Sequence, residues 1–275
     1  MLDREEYIEQ AYFFRTLGER LPENIPIQEL LAQLRDEALS TTKLPLAIDF
    51  MLSELNHLGA VAGAMQRLQH YFTPFQAYLF QEAENDRGRF DMRIAIAVLR
   101  FEAEYRSDSP TPQGLFLYQF ETLCRNRLSY DHGLQSIAKD PLFEGNWREW
   151  IMHVRHKLGV IDFADLLYVS SEHYLIQQKR RLKELEHECP ILFGDKEGKI
   201  ALANRQKNPL FLFSALQRHL RYPAVPRPEP KDSTSEVVTK LVRQVERLEV
   251  RLKLVEDEQR EGAFDLSKFY KGPGS

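Results

Sequence analysis

The chain has 275 residues, of which 43% are hydrophobic, and a formal net charge of −4. This charge provides no overall basic field to hold a phosphate backbone, and no stretch has the ~20 consecutive apolar residues of a membrane span. Two cysteines, Cys124 and Cys189, show neither metal-ligand spacing nor a disulfide framework, which indicates buried thiols in a reducing compartment. Since no apolar signal-peptide core follows Met1, we expect a cytoplasmic protein.

Apolar residues at helical spacing predict that residues 1–107 form a helical bundle. The first helix, residues 3–21, carries an apolar stripe and has acidic residues near the positive end of its dipole. Further helices are predicted at residues 27–40, 43–57, 59–71, from Pro74 to the acidic corner at 82–88, and 90–105. Thr73 is the expected N-cap before Pro74. Short connections between these helices favour an antiparallel bundle.

Residues 110–221 predict a second helical region that contains a small β-hairpin. After a breaker cluster at Pro110 and Pro112, helices are predicted at residues 112–128, 131–139, 146–158, 162–185 and 209–220. Residues 190–203 lack this helical pattern. Two short apolar runs there flank a glycine-bounded loop, and this arrangement predicts a β-hairpin. The pattern is compatible with one domain or with two across residues 1–221.

The C-terminal part predicts a linker followed by an oligomerisation helix. Residues 222–235 contain four prolines and form the expected semi-extended linker. Residues 236–262 predict a coiled-coil helix whose heptad seam favours a parallel dimer. The seam residues are Val238, Leu241, Val245, Leu248, Leu252 and Val255. The alternative is an amphipathic helix that folds back on its own domain. Residues 263–275 form a tail, of which 272–275 look like a cloning remnant.

These elements predict a mainly α fold: antiparallel helical bundles, one small β-hairpin and a C-terminal coiled-coil helix. Three sets of residues are candidates for metal or nucleic-acid binding. The first is the acidic corner, where Glu82, Glu84, Asp86 and Asp91 offer the hard oxygen ligands that a divalent cation prefers. The corner lacks the spacing of an EF-hand loop, and nearby arginines supply the alternative of a salt-bridged corner.

The second candidate is Glu54 with His57, a Glu-x-x-His element of the kind that projects two ligands into di-iron bundles. Such sites need two of these elements, and the sequence contains no second one; the alternative is a histidine that complements a helix C-terminus. The third is the basic run 179–183, which could bind nucleic acid or form a solvated helix face, and we expect the solvated face. Histidines 153, 156 and 173 are of a type that can act as general acids or bases, but their positions in the sequence give no reason to expect them at one site.

Residues 27–105 carry a set of short motifs in a recurring order. They are Leu30-Leu31, Leu44-Pro45-Leu46-Ala47, Gly59 with Ala64-Met65, Tyr71-Phe72-Thr73-Pro74, Ala83-Glu84 with the corner up to Phe90, and Glu104-Tyr105. In this order the segment resembles the cytoplasmic domain of the type II secretion and type IV pilus platform family, inner-membrane proteins built from repeated six-helix bundles. The sequence departs from that family at Lys43 and Ala83, where the family has glycine, and it lacks the transmembrane helices.

The resemblance implies a binding scaffold that contacts other assembly components, and a cation near Glu84. We therefore expect a non-enzymatic adaptor or scaffold that binds other proteins through its helical body, self-associates through the coiled-coil helix, and uses no cofactor. The alternative is a metal-dependent enzyme or metal-binding protein that uses helix carboxylates and a histidine, either Glu54 with His57 or the acidic corner.

Overall fold

The computed structural model describes residues 2–23, 25–85, 90–181 and 189–227, together with residue 245. The chain divides into two compact units, Met1–Arg227 and Pro228–Ser275. Of the second unit only Val245 is described, as a helical and exposed residue. The predicted linker from residue 228, the coiled-coil helix and the tail therefore lie outside the described residues.

The first unit is built from α-helices, and no strand occurs in the described ranges. Its thirteen described helices are α1 (Arg4–Arg20), α2 (Ile27–Glu37), α3 (Leu44–Leu58), α4 (Ala62–Arg67), α5 (Pro74–Glu84), α6 (Met92–Ser107), α7 (Pro112–Asn126), α8 (Tyr130–Ala138), α9 (Asn146–Lys157), α10 (Phe163–Val169), α11 (Glu172–Arg181), α12 (Asp195–Ala203) and α13 (Pro209–Leu220). A 3₁₀ turn, Leu21–Glu23, follows α1. The predicted mainly α fold is confirmed. Among the described helices, none has the length and apolar character needed to cross a membrane.

The predicted β-hairpin at residues 190–203 is wrong. Residues Asp195–Ala203 form helix α12, and residue 193 makes only an isolated parallel bridge with Ser171. The helix starts after Gly194 and has Asp195 and Glu197 in its first turn, where acidic side chains favour the positive end of the dipole. Gly198 lies inside this helix rather than at a turn, and a side chain there would collide with Ser171 and His173, which explains why the position is glycine.

The predicted single helix at residues 162–185 is instead two helices, α10 and α11, separated at Ser170 and Ser171. The backbone N–H groups of Leu192 and Phe193 donate to the carbonyl of Ser170, and the N–H of Glu172 donates to the carbonyl of Phe193. These long-range hydrogen bonds occupy the groups that a continuous helix would pair internally, and so they end α10.

Residues on both sides of position 107 contribute to the buried interior of the first unit. Helix α1 packs along α6, and the buried Tyr118 hydroxyl on α7 donates to the carbonyl of Val98 on α6 at 2.8 Å. A cluster of aromatic rings fills the space between α7, α9, α10 and α13. It consists of Phe116, Phe120, Phe143, Trp147, Trp150, Phe163, Phe193 and Phe213.

A buried ion network ties α6 to α7 and to the segment after α8. Arg106 pairs with Glu102 at 2.7 Å and also with Asp140, and all three side chains are buried. Gln119 on α7 donates to the same Glu102 oxygen at 2.8 Å. Burial of three charges is tolerated only when they are paired and hydrogen-bonded, so this network fixes the relative position of these elements.

Candidate functional site

A groove of about 580 Å³ lies between helices α4 and α5 on one side and α8 on the other. Its floor is apolar and consists of buried or half-buried side chains: Met65, Phe72, Pro74, Ala77 and Tyr78. Its rim is polar and includes Gln66, Gln69, Gln81, Glu82, His132, Gln135, Ser136 and Lys139. A concave site with an apolar base and several polar groups at its edge can bind a ligand that has both apolar and hydrogen-bonding groups.

Local sequence holds the start of α5 in place beside this groove. Thr73 and Gln76 form a reciprocal capping box, in which the Thr73 hydroxyl accepts from the Gln76 N–H and the Gln76 side chain accepts from the Thr73 N–H. Pro74 is the first residue of the helix, so the predicted N-cap and first turn are confirmed. The Gln76 amide also donates to the buried Gln10 side chain at 3.2 Å, which anchors α5 to α1.

One hydrogen bond fixes the two walls of the groove relative to each other. The Tyr78 hydroxyl on α5 donates to the backbone carbonyl of Ser129, immediately before α8, at 3.2 Å. Burial raises the pKa of the Tyr78 hydroxyl, so the group stays protonated and remains a donor at neutral pH. This partly buried hydrogen bond therefore joins the α5 wall to the residue before α8.

The glutamines of the rim give the groove its hydrogen-bonding chemistry. Gln66 donates to the side-chain oxygen of Gln81 at 2.8 Å, so these two amides form a pair. Gln69 and Gln135 have no side-chain hydrogen bond with any described residue. Each primary amide offers both donors and an acceptor, so these two side chains can each bind one N–H and one carbonyl of a ligand.

The two ends of the groove have opposite charge. Tyr78 lies against Ser129, so the end of α5 that carries Glu82 lies near the first turn of α8. At the opposite end Lys139 follows α8, and its neighbour Asp140 lines a small cavity together with Thr73. Helices α5 and α8 therefore run in opposite directions along the groove, with a carboxylate at one end and an ammonium at the other.

The structure distributes the predicted acidic-corner residues among different roles. Glu82 lines the groove, whereas both carboxylate oxygens of Glu84 accept backbone N–H groups at the start of α4, from Val61 at 2.7 Å and from Ala62 at 2.9 Å. Asp91 caps α6 and pairs with Arg93 at 3.0 Å. Asp86 lies outside the described residues, so a cation at this corner stays a prediction.

The other candidate residues have ordinary surface contacts or exposure. Glu54 pairs with Arg67 at 2.9 Å, and His57 is exposed at the end of α3. Within the described ranges, no three histidine, cysteine, aspartate or glutamate side chains are arranged to hold a metal ion. The first two residues of the basic run, Lys179 and Arg180, are exposed on α11.

Within the described residues the structure brings together two histidine–carboxylate pairs that sequence spacing did not indicate, His173 with Asp195 and His219 with Glu197, the latter at 3.0 Å. The Nδ1 atom of His173 lies 2.7 Å from Asp195, and its Nε2 atom lies 3.0 Å from the Gln177 amide. Hydrogen bonds from Lys199 and from His173 lower the pKa of Asp195, so this carboxylate is ionised at neutral pH. Both ring nitrogens of His173 are occupied, and its pair with Asp195 joins α11 to α12 in the fold.

Comparisons with protein-family models, with curated proteins and with solved structures gave no match. The resemblance to the secretion and pilus platform family therefore stays a prediction that rests on residues 27–105. The geometry of the groove is the main guide to what the molecule binds.

Proposed function

We propose that this chain is a non-enzymatic adaptor that binds an extended segment of a partner protein in the groove between α4–α5 and α8. The observation that carries the proposal is the combination of an apolar floor with a rim of neutral amides, two of which have no partner among the described residues. The binding role agrees with what the family resemblance implies for residues 27–105.

An extended peptide matches this rim because its backbone presents unpaired N–H and carbonyl groups on both edges. Glutamine amides can bind both kinds of group, and alternate peptide side chains would point into the apolar floor. From Pro74 to Glu82, α5 rises about 12 Å at about 1.5 Å per residue. An extended chain covers that distance with about four residues at about 3.3 Å each.

The charges at the two ends favour one direction for the bound segment. Glu82 favours a basic residue at its end of the groove, and Lys139 favours an acidic residue at the other. The preferred ligand therefore has a short apolar centre with a basic residue on one side and an acidic residue on the other.

Replacement of Ser136 by tryptophan tests this site. Ser136 is half-buried on the α8 wall, so the larger side chain would occupy the space of the bound segment. Peptides would be selected from a random library on the full chain, and their affinities measured by fluorescence anisotropy. We expect the S136W variant to bind the selected peptides at least about tenfold more weakly, a loss of about 1.4 kcal/mol.

Ser53→Trp is the matched control, because Ser53 is exposed on α3 and does not line the groove. Its peptide affinity is expected to equal that of the unchanged chain, and thermal unfolding of both variants checks that each is folded. Equal affinity of the S136W variant, or a library that yields no binding peptide, would refute the groove as the binding site.

We further propose that the adaptor self-associates through the predicted coiled-coil helix, residues 236–262. Its valine and leucine seam has the pattern of a parallel two-stranded coiled coil. Light scattering is expected to give a dimer for the full chain and a monomer for a chain that ends at Arg227. Leu248→Asp in the full chain places a charge in the seam and should also give the mass of a monomer. A monomer mass for the unchanged full chain would contradict self-association.

A further inference from the structure

The buried carboxyl group of Glu102 on α6 receives its hydrogen bonds at one oxygen atom. Its Oε1 atom accepts from the Arg106 guanidinium at 2.7 and 3.0 Å and from the Gln119 amide on α7 at 2.8 Å. Its Oε2 atom is also buried and has no hydrogen-bond partner among the described residues. This one-sided pattern fits a carboxylic acid, which has a carbonyl oxygen and a hydroxyl, better than a carboxylate with two equivalent oxygen atoms.

The Gln119 amide has the complementary gap. Its nitrogen donates to Glu102, but its oxygen is buried and accepts no hydrogen bond within the described part of the chain. Two groups that are already hydrogen-bonded to each other therefore each carry a buried oxygen without a donor, which is costly. One proton on Oε2 of Glu102 would fill both gaps, because the acid O–H can donate to the amide carbonyl and close a ring of two hydrogen bonds.

Asp140, the other acid of this buried network, has no such gap. One of its oxygen atoms accepts the backbone N–H of Leu142 at 3.0 Å, and the other pairs with Arg106. With both acids ionised, two carboxylates share one guanidinium, and the network has one excess negative charge in a buried site. A proton on Glu102 removes this excess charge and leaves the ion pair of Arg106 with Asp140 intact.

The electrostatic environment acts in the same direction as the hydrogen bonds. Burial raises the pKa of Glu102, the charge of Arg106 opposes this rise, and the charge of Asp140 adds to it. An ordinary glutamate has a pKa of about 4.3. The folded chain therefore holds a proton on this group at a pH at which the unfolded chain has released it.

The helices packed around Glu102 bring two tyrosines close to the network. The Tyr7 ring on α1 lies 6.0 Å from the Arg106 guanidinium, and the Tyr118 hydroxyl on α7 donates to a backbone carbonyl of α6. The acids of these helices and of α5 make their direct contacts elsewhere: at the segment between α2 and α3, at the groove, at the start of α4 and with Arg125. These acids are Glu6 and Glu9 on α1, Glu82 and Glu84 on α5, and Glu121 on α7.

We propose that Glu102 is a buried proton-binding site, which in mildly acidic solution takes up one proton on Oε2 and donates it to the carbonyl oxygen of Gln119. The bound proton adds a second hydrogen bond between α6 and α7 and neutralises the excess charge of the network. Its contribution to stability is complete below the pKa of an unfolded glutamate and is lost as the pH rises through the raised pKa of the folded chain. The contact between α6 and α7 is therefore pH-sensitive.

The first test uses the unchanged full chain. Glutamate carboxyl carbons labelled with ¹³C are followed by NMR as the pH is changed. We expect one of them to titrate at least about one pH unit above the ordinary value of about 4.3, and its signal to be absent from Glu102→Gln. If every glutamate carbon titrates near the ordinary value, the proposal is overturned. A buried water molecule that donates to both oxygen atoms would give that result.

The second test is the stability of Glu102→Gln, which places a permanent N–H donor where the acid would hold its proton. Urea unfolding of the full chain and of this variant is compared between about pH 5 and about pH 8. The unfolding equilibrium constant of the unchanged chain, divided by that of the variant, should increase with pH by up to about tenfold per pH unit. A ratio that stays constant over this range would overturn the proposal.

Glu104→Gln is the matched control. Glu104 lies on the same helix and pairs with Arg100 at the same four-residue spacing, but 42% of its side chain is exposed. The stability of this variant should follow the pH dependence of the unchanged chain. If its ratio changed with pH as much as that of Glu102→Gln, the effect would not come from the buried site, and the proposal would fail.

Discussion

Replacing Arg106 with methionine is expected to lower the free energy of unfolding by about 3–5 kcal/mol, because the change leaves two buried carboxylates without their cation. Methionine keeps most of the length of the arginine stem, so the loss reports mainly on charge. Urea unfolding followed by circular dichroism would show a lower midpoint with an unchanged slope.

The contacts of Arg106 explain why the expected loss is so large. Its guanidinium pairs with Glu102 on the same helix and with Asp140, 34 residues later, and the side chains of all three are almost fully inaccessible to water. Burial lowers the pKa of Arg106, but the charges of Asp140 and Glu102 outweigh that effect and raise it, so the guanidinium stays protonated. Burial raises the pKa of Glu102, and the charge of Arg106 opposes that rise, so removal of the cation would raise it further.

Helix α6 also provides a matched control. Arg100 pairs with Glu104 at 2.8 Å and at the same four-residue spacing, but the two side chains are 35% and 42% exposed. Arg100→Met is expected to change the free energy of unfolding by less than about 1 kcal/mol, since water screens an exposed pair. Similar losses in the two variants would contradict the role assigned to the buried charges.

The helix starts and helical segments that could be predicted from the sequence are determined by residues close to one another in the chain. The apolar stripe of residues 3–21 corresponds to α1, and Asn208 followed by Pro209 places the start of α13 correctly. Thr73 and Pro74 likewise mark the start of α5. Caps and helical periodicity act within a few residues, so a local pattern contains the information that they need.

The errors arise where distant contacts decide the local structure. The wrong hairpin followed from reading Gly194 and Gly198 as turn residues, whereas Gly198 allows close contact of α12 with Ser171. The break between α10 and α11 depends on backbone hydrogen bonds to residues 192 and 193. Partners about twenty residues away leave no periodic signal in a short window of sequence.

The candidate sites also depend on contacts between residues that are distant in the sequence. Glu102 and Arg106 have the spacing of an ordinary surface ion pair, and only Asp140 and Gln119 reveal that the pair is buried. The groove is formed by α5 and α8 lying side by side. These helices are far apart in the sequence, since α5 ends at Glu84 and α8 begins at Tyr130, so no short sequence pattern could predict the groove. The sequence predicted Glu84 as a ligand of a cation, and its described contacts are those of a helix cap, so the cation stays a prediction.

Gly198→Ala is expected to lower the free energy of unfolding by about 1–3 kcal/mol through overpacking between α11 and α12. A Cβ atom at this position would lie 2.6 Å from the His173 Cβ and 2.7 Å from the Ser171 Cβ, and it would also collide with the Ser171 hydroxyl. These are atoms close to the backbone, so relief requires the helices to move apart and would weaken the His173–Asp195 contact.

Gly63→Ala separates this effect from the general preference of helices for alanine. Gly63 lies in α4, where a Cβ would meet no atom within 4 Å, so this variant is expected to gain about 0.5–1 kcal/mol. Thermal unfolding of both variants gives the comparison, and the two changes should have opposite signs. If G198A were as stable as the unchanged chain, α12 would not pack closely on α11, and the assignment of Gly198 as a contact residue would fail.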